Sequence, residues 1–269
     1  MKATKCITFI AVLASVLLAA SCSIKEDRTP CPSYLTIYYD LAVPVLQKNN
    51  ITTGVVTSVT NAADFRFRLS VDPSEYPDGL EVPVSPKSIA TVSGISGVSL
   101  GELTADKFTY RRGVSADRIW AGTDQVDCTG ELAEHHVTLH KQFAVMHVVF
   151  RGSASYADLR MEARAACDGF EAATLIPVRG DFRCDLEKTG EDSFEVRLPR
   201  QDNDGLLLLL WSGEELLSEI PVGKNIASAG YNWAKKDLDD IEVLIDFAVP
   251  DISFSVQPWK DGGSESYEI

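Results

Sequence analysis

The chain has 269 residues, with 25 lysines and arginines against 39 aspartates and glutamates, for a formal charge of −14. A surface this acidic repels phosphate backbones, which excludes nucleic acid as a partner, and it offers no electrostatic grip on anionic lipid. The carboxylates are so numerous that pairs close in space are inevitable, and their number carries no enzymatic signal.

The first element is an export signal. Lys2 and Lys5 precede an uncharged run from Cys6 to Ala20, and the small residues Ala19, Ala20 and Ser21 lead into Cys22. A bilayer span takes roughly 20 apolar residues, so this run of about fifteen reads as the apolar region of a secretory signal. Cleavage before Cys22 leaves an N-terminal cysteine that carries acyl chains. Residues 1–21 are therefore read as a lipoprotein signal peptide and Cys22 as the lipidation site, which places the protein on a membrane by its first mature residue. Ser23, Ile24, Lys25, Glu26 and Asp27 resemble the lysine-plus-two-acids signal that sends lipoproteins of the Bacteroidota to the outer leaflet of the outer membrane. The expected location is thus the cell surface, with residues 22–32 as a solvated tether. Removing residues 1–21 takes away two lysines and no acid, so the formal charge moves from −14 to −16.

Residues 33–269 are long enough for one large β domain or two of ordinary size. Short runs of alternating or continuous apolar residues, bounded by Gly, Pro, Asn, Asp and Ser, predict strands. In chain order these are Tyr34 to Val43, Phe65 to Val71, Lys107 to Arg112, Arg118 to Ala121 and His136 to Phe150, with a break near Phe143. Then come Leu159 to Ala165, Phe194 to Leu198, Leu206 to Trp211, Ile241 to Phe247 and Ile252 to Val256. Phe65, Phe67, Leu69 and Val71 alternate with Arg66, Arg68 and Ser70, as in a sheet with one wet side. The five leucines from Leu206 to Leu210 predict a strand buried on both faces. Between Gly223 and Trp233 the pattern permits a short helix ended by Gly230. A strand count of this kind predicts an all-β chain of β-sandwiches, with a boundary near Gln142 dividing it into 33–142 and 143–269.

Four cysteines remain after Cys6 leaves with the signal and Cys22 takes lipid. Cys167 with Cys184 would close a local loop worth about 3 kcal/mol in the chain-entropy estimate, and Cys31 with Cys128 would pair within the N-terminal part. The alternative is four buried thiols. None of them has the spacing of a structural zinc site. His136 and His140 read as strand residues, about 13 Å apart at a strand's rise, so no metal site is expected. Aligning Gly205 with the invariant glycine of a calcium loop puts Arg200 and Trp211 at the end ligand positions, so Asp202 to Gly205 is read as a turn. There is no serine in a nucleophile elbow and no glycine-rich phosphate loop, so neither catalysis nor a cofactor is expected.

Spaced apolar and aromatic residues across nearly the whole chain resemble the FimB-type minor fimbrial anchor subunits of the Bacteroidota, lipoproteins of type V pili. At the start they are Cys22, Asp27, Arg28, Cys31, Pro32 and the strand Leu35 to Tyr39. In the middle they are Val137, Leu139, Ala144, Val145 and Val148. Towards the end they are Gly230, Tyr231, Trp233, Leu238, Asp240, Ile241, Val243, Ile245, Ile252, Phe254, Val256 and Trp259. The resemblance implies two tandem transthyretin-like β-sandwiches and a structural role. One end is lipidated and the other joins a fimbrial shaft subunit, so that the pilus is attached and its length limited. Shaft subunits of these pili join by donor-strand complementation, in which an extended segment fills the open edge of a neighbouring sheet.

Ile252, Phe254 and Val256 present apolar side chains at period two and form the candidate donor strand. The alternative is self-pairing as the last strand of their own domain. Trp120, Trp211, Trp233 and Trp259 support a rival reading, a surface glycan-binding lipoprotein of a nutrient-uptake system, if they are exposed; buried tryptophans favour core packing.

Overall fold

Apolar residues at every second position make strands of most of the chain. The computed structural model describes residues 33–61, 66–85, 88–104, 106–151 and 159–246, with the backbone of 251–257. Cys22, Ser23–Asp27, Cys31, Phe65 and Trp259 lie outside the described residues.

The first half contains β1 (Ser33–Tyr38), α1 (Ala42–Lys48), β2 (Val55–Asn61), β3 (Arg66–Val71), β4 (Leu80–Val84), β5 (Ser88–Ser96), β6 (Lys107–Thr109), β7 (Trp120–Cys128), β8 (Leu132–His136) and β9 (His140–Lys141). Two sheets face each other there, one in the order β4, β1, β8 and one in the order β3, β2, β5, β7, β9. Leu35 and Ile37 of β1 and Val82 of β4 meet Val55, Val59, Val92 and Trp120 of the opposite sheet in one buried cluster. The second half contains β10 (Phe143–Arg151), β11 (Leu159–Glu171), β12 (Pro177–Asp185), β13 (Glu187–Lys188), β14 (Ser193–Pro199), β15 (Leu207–Ser212), β16 (Glu215–Ile220), α2 (Val222–Ser228), β17 (Asp240–Asp246) and β18 (Asp251–Gln257). One sheet runs β13, β14, β10, β17, β18 and the other β12, β11, β15, β16. Met146, Val148, Val196 and Val243 of the former pack on Met161, Ala163, Phe182 and Leu208 of the latter.

The all-β sandwich class expected from the strand pattern is the observed one. The run Tyr34 to Val43, however, is a strand only to Tyr38, and Ala42–Lys48 is helical. Ala42 and Leu46 are buried one turn apart, and Pro44 sits in the first turn, where a missing N–H costs nothing. Strands β2, β4, β5, β12, β13 and β16 were not expected, nor was β8 before His136. Five successive buried residues begin β2, so it lacks alternation. In β5 Gly94 replaces a side chain, because a Cβ there would stand 2.5 Å from Val137 Cγ1. The leucine run is largely buried as expected, with Leu206, Leu208 and Leu210 in the core and Leu209 enclosed as well, but Leu207 is only half-buried. The helix before Gly230 is also present, and that glycine takes φ 90°.

The two halves interlock. Phe108, Tyr110, Ala116 and Ile119 precede Gln142 in sequence but pack in the second-half core, whereas Phe143 packs on Trp120 in the first-half core, ring centroids 5.2 Å apart. Residues from Ser33 onward accordingly form one compact unit. Strand β6 is the clearest link: it pairs with Gly169–Glu171 at the far end of β11, while β15 pairs with Leu159–Arg164. Because β12 takes the other edge of β11 at Gly169 and Phe170, β6 continues the edge that β15 leaves. The side chain of Gln201 fills the gap between them. Its Oε1 accepts from Cys167 N at 2.9 Å and its Nε2 donates to Cys167 O at 3.1 Å, so one buried amide imitates a strand's backbone.

The expected Cys167–Cys184 disulfide is not formed; both are free, buried thiols. Cys184 faces Ala163 across the β11–β12 ladder, and Cys167 lies four residues further along, about 13 Å away at a strand's rise. That separation is far beyond disulfide reach. Cys128 is a buried free thiol as well.

Candidate functional site

Gln142 is the single residue between β9 and β10, and the polar groups around it tie the halves together. Its Nε2 donates to Ala121 O at 3.0 Å and to His140 O at 3.1 Å. Its Oε1 accepts from Arg200 Nε at 2.8 Å. The rest of the Arg200 guanidinium donates to the carbonyls of Trp233, Lys235 and Lys236. Burial pushes the guanidinium pKa down, and the acceptors it meets are neutral: the Gln142 amide oxygen and three carbonyls of the loop after α2.

Beside Gln142, Lys141 is almost completely enclosed, with 3% of its side chain exposed. Its Nζ donates to Asp240 Oδ1 at 2.5 Å, and that oxygen also accepts from Val145 N at 2.8 Å. The ammonium stands 5.1 Å from the Phe143 ring centroid. Burial lowers the Lys141 pKa, and the carboxylates of Asp240, Asp239 and Asp237 oppose that shift. Asp237 accepts from Lys141 N at 2.7 Å and pairs with His140 Nδ1 at 2.9 Å. Burial alone would raise the Asp237 pKa, but these hydrogen bonds outweigh it and leave it below the usual carboxylate range. The Tyr231 hydroxyl donates to Asp239 O at 3.0 Å, and burial holds its pKa well above the ordinary value.

A cleft of about 450 Å³ opens next to this seam, lined by Arg200, Asp202, Asn203, Asp204, Tyr231 and Trp233, among others. Trp233 is half-buried against Tyr231, ring centroids 4.7 Å apart. Trp120 is buried in the first core, and Trp211 is half-buried beneath Arg160. The tryptophans therefore form no shared platform among the described residues. Asp202 to Gly205 is a turn, closed by Gly205 N donating to Asn203 Oδ1 at 2.7 Å.

Two strands of the second half, β18 and β16, lie at sheet edges. The candidate donor segment is β18, paired antiparallel with β17 over its whole length, from Asp246↔Asp251 to Asp240↔Gln257. In this single chain it completes its own sheet. Strand β16 is the last strand of the other sheet and exposes the neighbouring Leu216 and Leu217. Among the described residues no group of histidines, cysteines and acids is placed to hold a metal. His136 pairs with Asp40 and His140 with Asp237, each on its own.

The sequence assigns no role to Lys141, Gln201, Asp237 or Asp239; Arg200 enters it only against a calcium loop, and Asp240 only as one residue of the family resemblance. A lysine between Leu139 and Phe143 in an apolar strand is the one signal that marked a buried charge. Its partner lies 99 residues away.

Solved structures share this fold. The fimbrial anchor protein Mfa2 from Porphyromonas gingivalis matches 85% of this chain and 98% of its own, with a TM-score of 0.52 and 9% identity. This chain has their fold. A Bacteroides thetaiotaomicron protein described provisionally as polysaccharide-binding gives a TM-score of 0.57 at 13% identity, covering 85% of this chain and 96% of that one. A provisionally named adhesin from Bacteroides ovatus gives 0.56 at 11% identity, covering 80% and 88%. No protein-family model matches the sequence, and neither does any curated protein.

Proposed function

We propose that the chain is a FimB-type, lipid-anchored minor fimbrial subunit. It fastens a type V pilus shaft to the outer membrane through acyl chains on Cys22 and limits its length, acting by connection and not by catalysis. The observation that carries this reading is the two-sandwich body, shared along almost the entire length of a fimbrial anchor protein. Its first strand begins at Ser33, eleven residues after the lipid-acceptor cysteine. Interlocked cores and a polar seam suit a part that carries tension, and an edge strand such as β18 suits joining by strand exchange. Surface crosslinking of intact cells followed by purification of this chain tests the assignment. Recovery of fimbrial shaft subunits is the expected result, and recovery of a transport complex in their place overturns it.

The cleft at Trp233 favours one second reading, glycan binding on the cell surface. A half-exposed aromatic ring beside amide and carboxylate groups is the chemistry that holds a sugar, and a protein of the same fold carries a provisional polysaccharide-binding description.

A further inference from the structure

We propose that Lys141 and Asp240 become joined by an isopeptide amide that staples the first half of the chain to the second. This inference stands apart from the pilus reading.

The seam holds the ingredients of that reaction. Nζ of Lys141 touches Asp240 Oδ1 at 2.5 Å. Cγ lies one bond beyond that oxygen, so the nitrogen is about 3–4 Å from the carbon it attacks, near the separation of a reactive conformer. Lys141 is 3% exposed, whereas the comparable pair of Lys235 with Asp239 leaves its lysine 48% exposed. Burial shifts the ammonium towards the neutral, nucleophilic amine. The backbone N–H of Val145 is aimed at Oδ1 from 2.8 Å, where charge develops as the carbonyl carbon becomes tetrahedral. Asp237 and Asp239 are two further carboxyls whose charge reaches the ammonium.

The step balances without any outside reagent. The ammonium passes one proton to the Asp240 carboxylate, giving a free amine and a carboxylic acid. The amine attacks Cγ, and the C–N bond forms as the C=O π bond opens onto Oδ1. A second proton moves from nitrogen to Oδ2, the C–Oδ2 bond breaks, and water leaves. An ion pair whose lysine is enclosed at a cost in desolvation is replaced by a neutral amide, which supplies the driving force. The new bond links β9 of one sandwich to β17 of the other, across 99 residues of sequence.

Trypsin digestion of the full chain purified from cells, followed by mass spectrometry, decides the matter. With the amide present, Lys141 is not cleaved. Ile119–Arg151 then runs joined to Asp237–Lys260 as one branched species, lighter than the two peptides together by one water. Lys141→Arg keeps the charge pair and must abolish the branched species. Asp240→Asn must restore the same branch by expelling ammonia. Separate peptides ending at Lys141 and spanning Asp237–Lys260, at full mass in the natural chain, overturn the proposal.

Discussion

The Nε of Arg200, the residue after β14, donates at 2.8 Å to Oε1 of Gln142, the single residue between β9 and β10. The same guanidinium holds three carbonyls of the loop leading into β17. Replacing Arg200 with Met removes the shared donor of these part-buried and exposed acceptors, and the expected cost is roughly 1–2 kcal/mol. Denaturant unfolding of the two forms checks it. The natural chain is expected to unfold in one transition, because β6 and Phe143 each pack in the other half's core.

Gln201 makes a sharper test of the β6 connection. Gln201→Leu keeps the volume but leaves the Cys167 N–H and C=O without the amide that meets them. A loss of about 1–3 kcal/mol is expected, together with faster hydrogen exchange at Cys167 and along β6.

The three buried cysteines behave as apolar side chains. Burial pushes the thiol pKa of Cys167 and of Cys184 up to about 11 and raises that of Cys128, so all three stay protonated at neutral pH. With Cys31→Ser, the native chain is expected to bind no thiol reagent until denaturant is added, and reductant should not move its Tm.

Acid should loosen the seam through Asp237. Its folded pKa lies below the usual value, so the unfolded chain binds the proton more readily. The stability it contributes is complete above the ordinary carboxylate pKa of about 4. It is lost as pH falls through the lower, folded value. Asp237→Asn is expected to lower Tm at pH 7 and to flatten its decline between pH 5 and 3.

Much of this fold can be read from residue order. Phe67, Leu69 and Val71 reveal β3 by alternation, and the leucines after Gly205 reveal β15 by their lack of it. Strands β2 and β5 escaped because each is covered where a half-wet strand would show polar residues, with Ser93 and Gly94 in place of large apolar groups. The seam escaped for another reason. Lys141 and Asp240, or Gln142 and Arg200, meet only through tertiary structure, and no local spacing announces them. The expected Cys167–Cys184 bridge failed on the same ground, since closeness in sequence did not bring the residues together along β11 and β12.

Strand β18 carries the proposed subunit contact. Deleting residues 251–269 takes away the outer strand β18 of its sheet, and the remaining chain is expected to fold while cells shed their fimbriae. Cell-bound pili at the usual level in that deletion would rule out this segment as the joint.

The most direct measurement is the partition of both this protein and assembled pili between cells and medium after Cys22→Ala. The account predicts that the two are released together, the shaft leaving with its unacylated base. A chain that stays with the envelope, or one that washes away while the pili remain attached to cells, contradicts it.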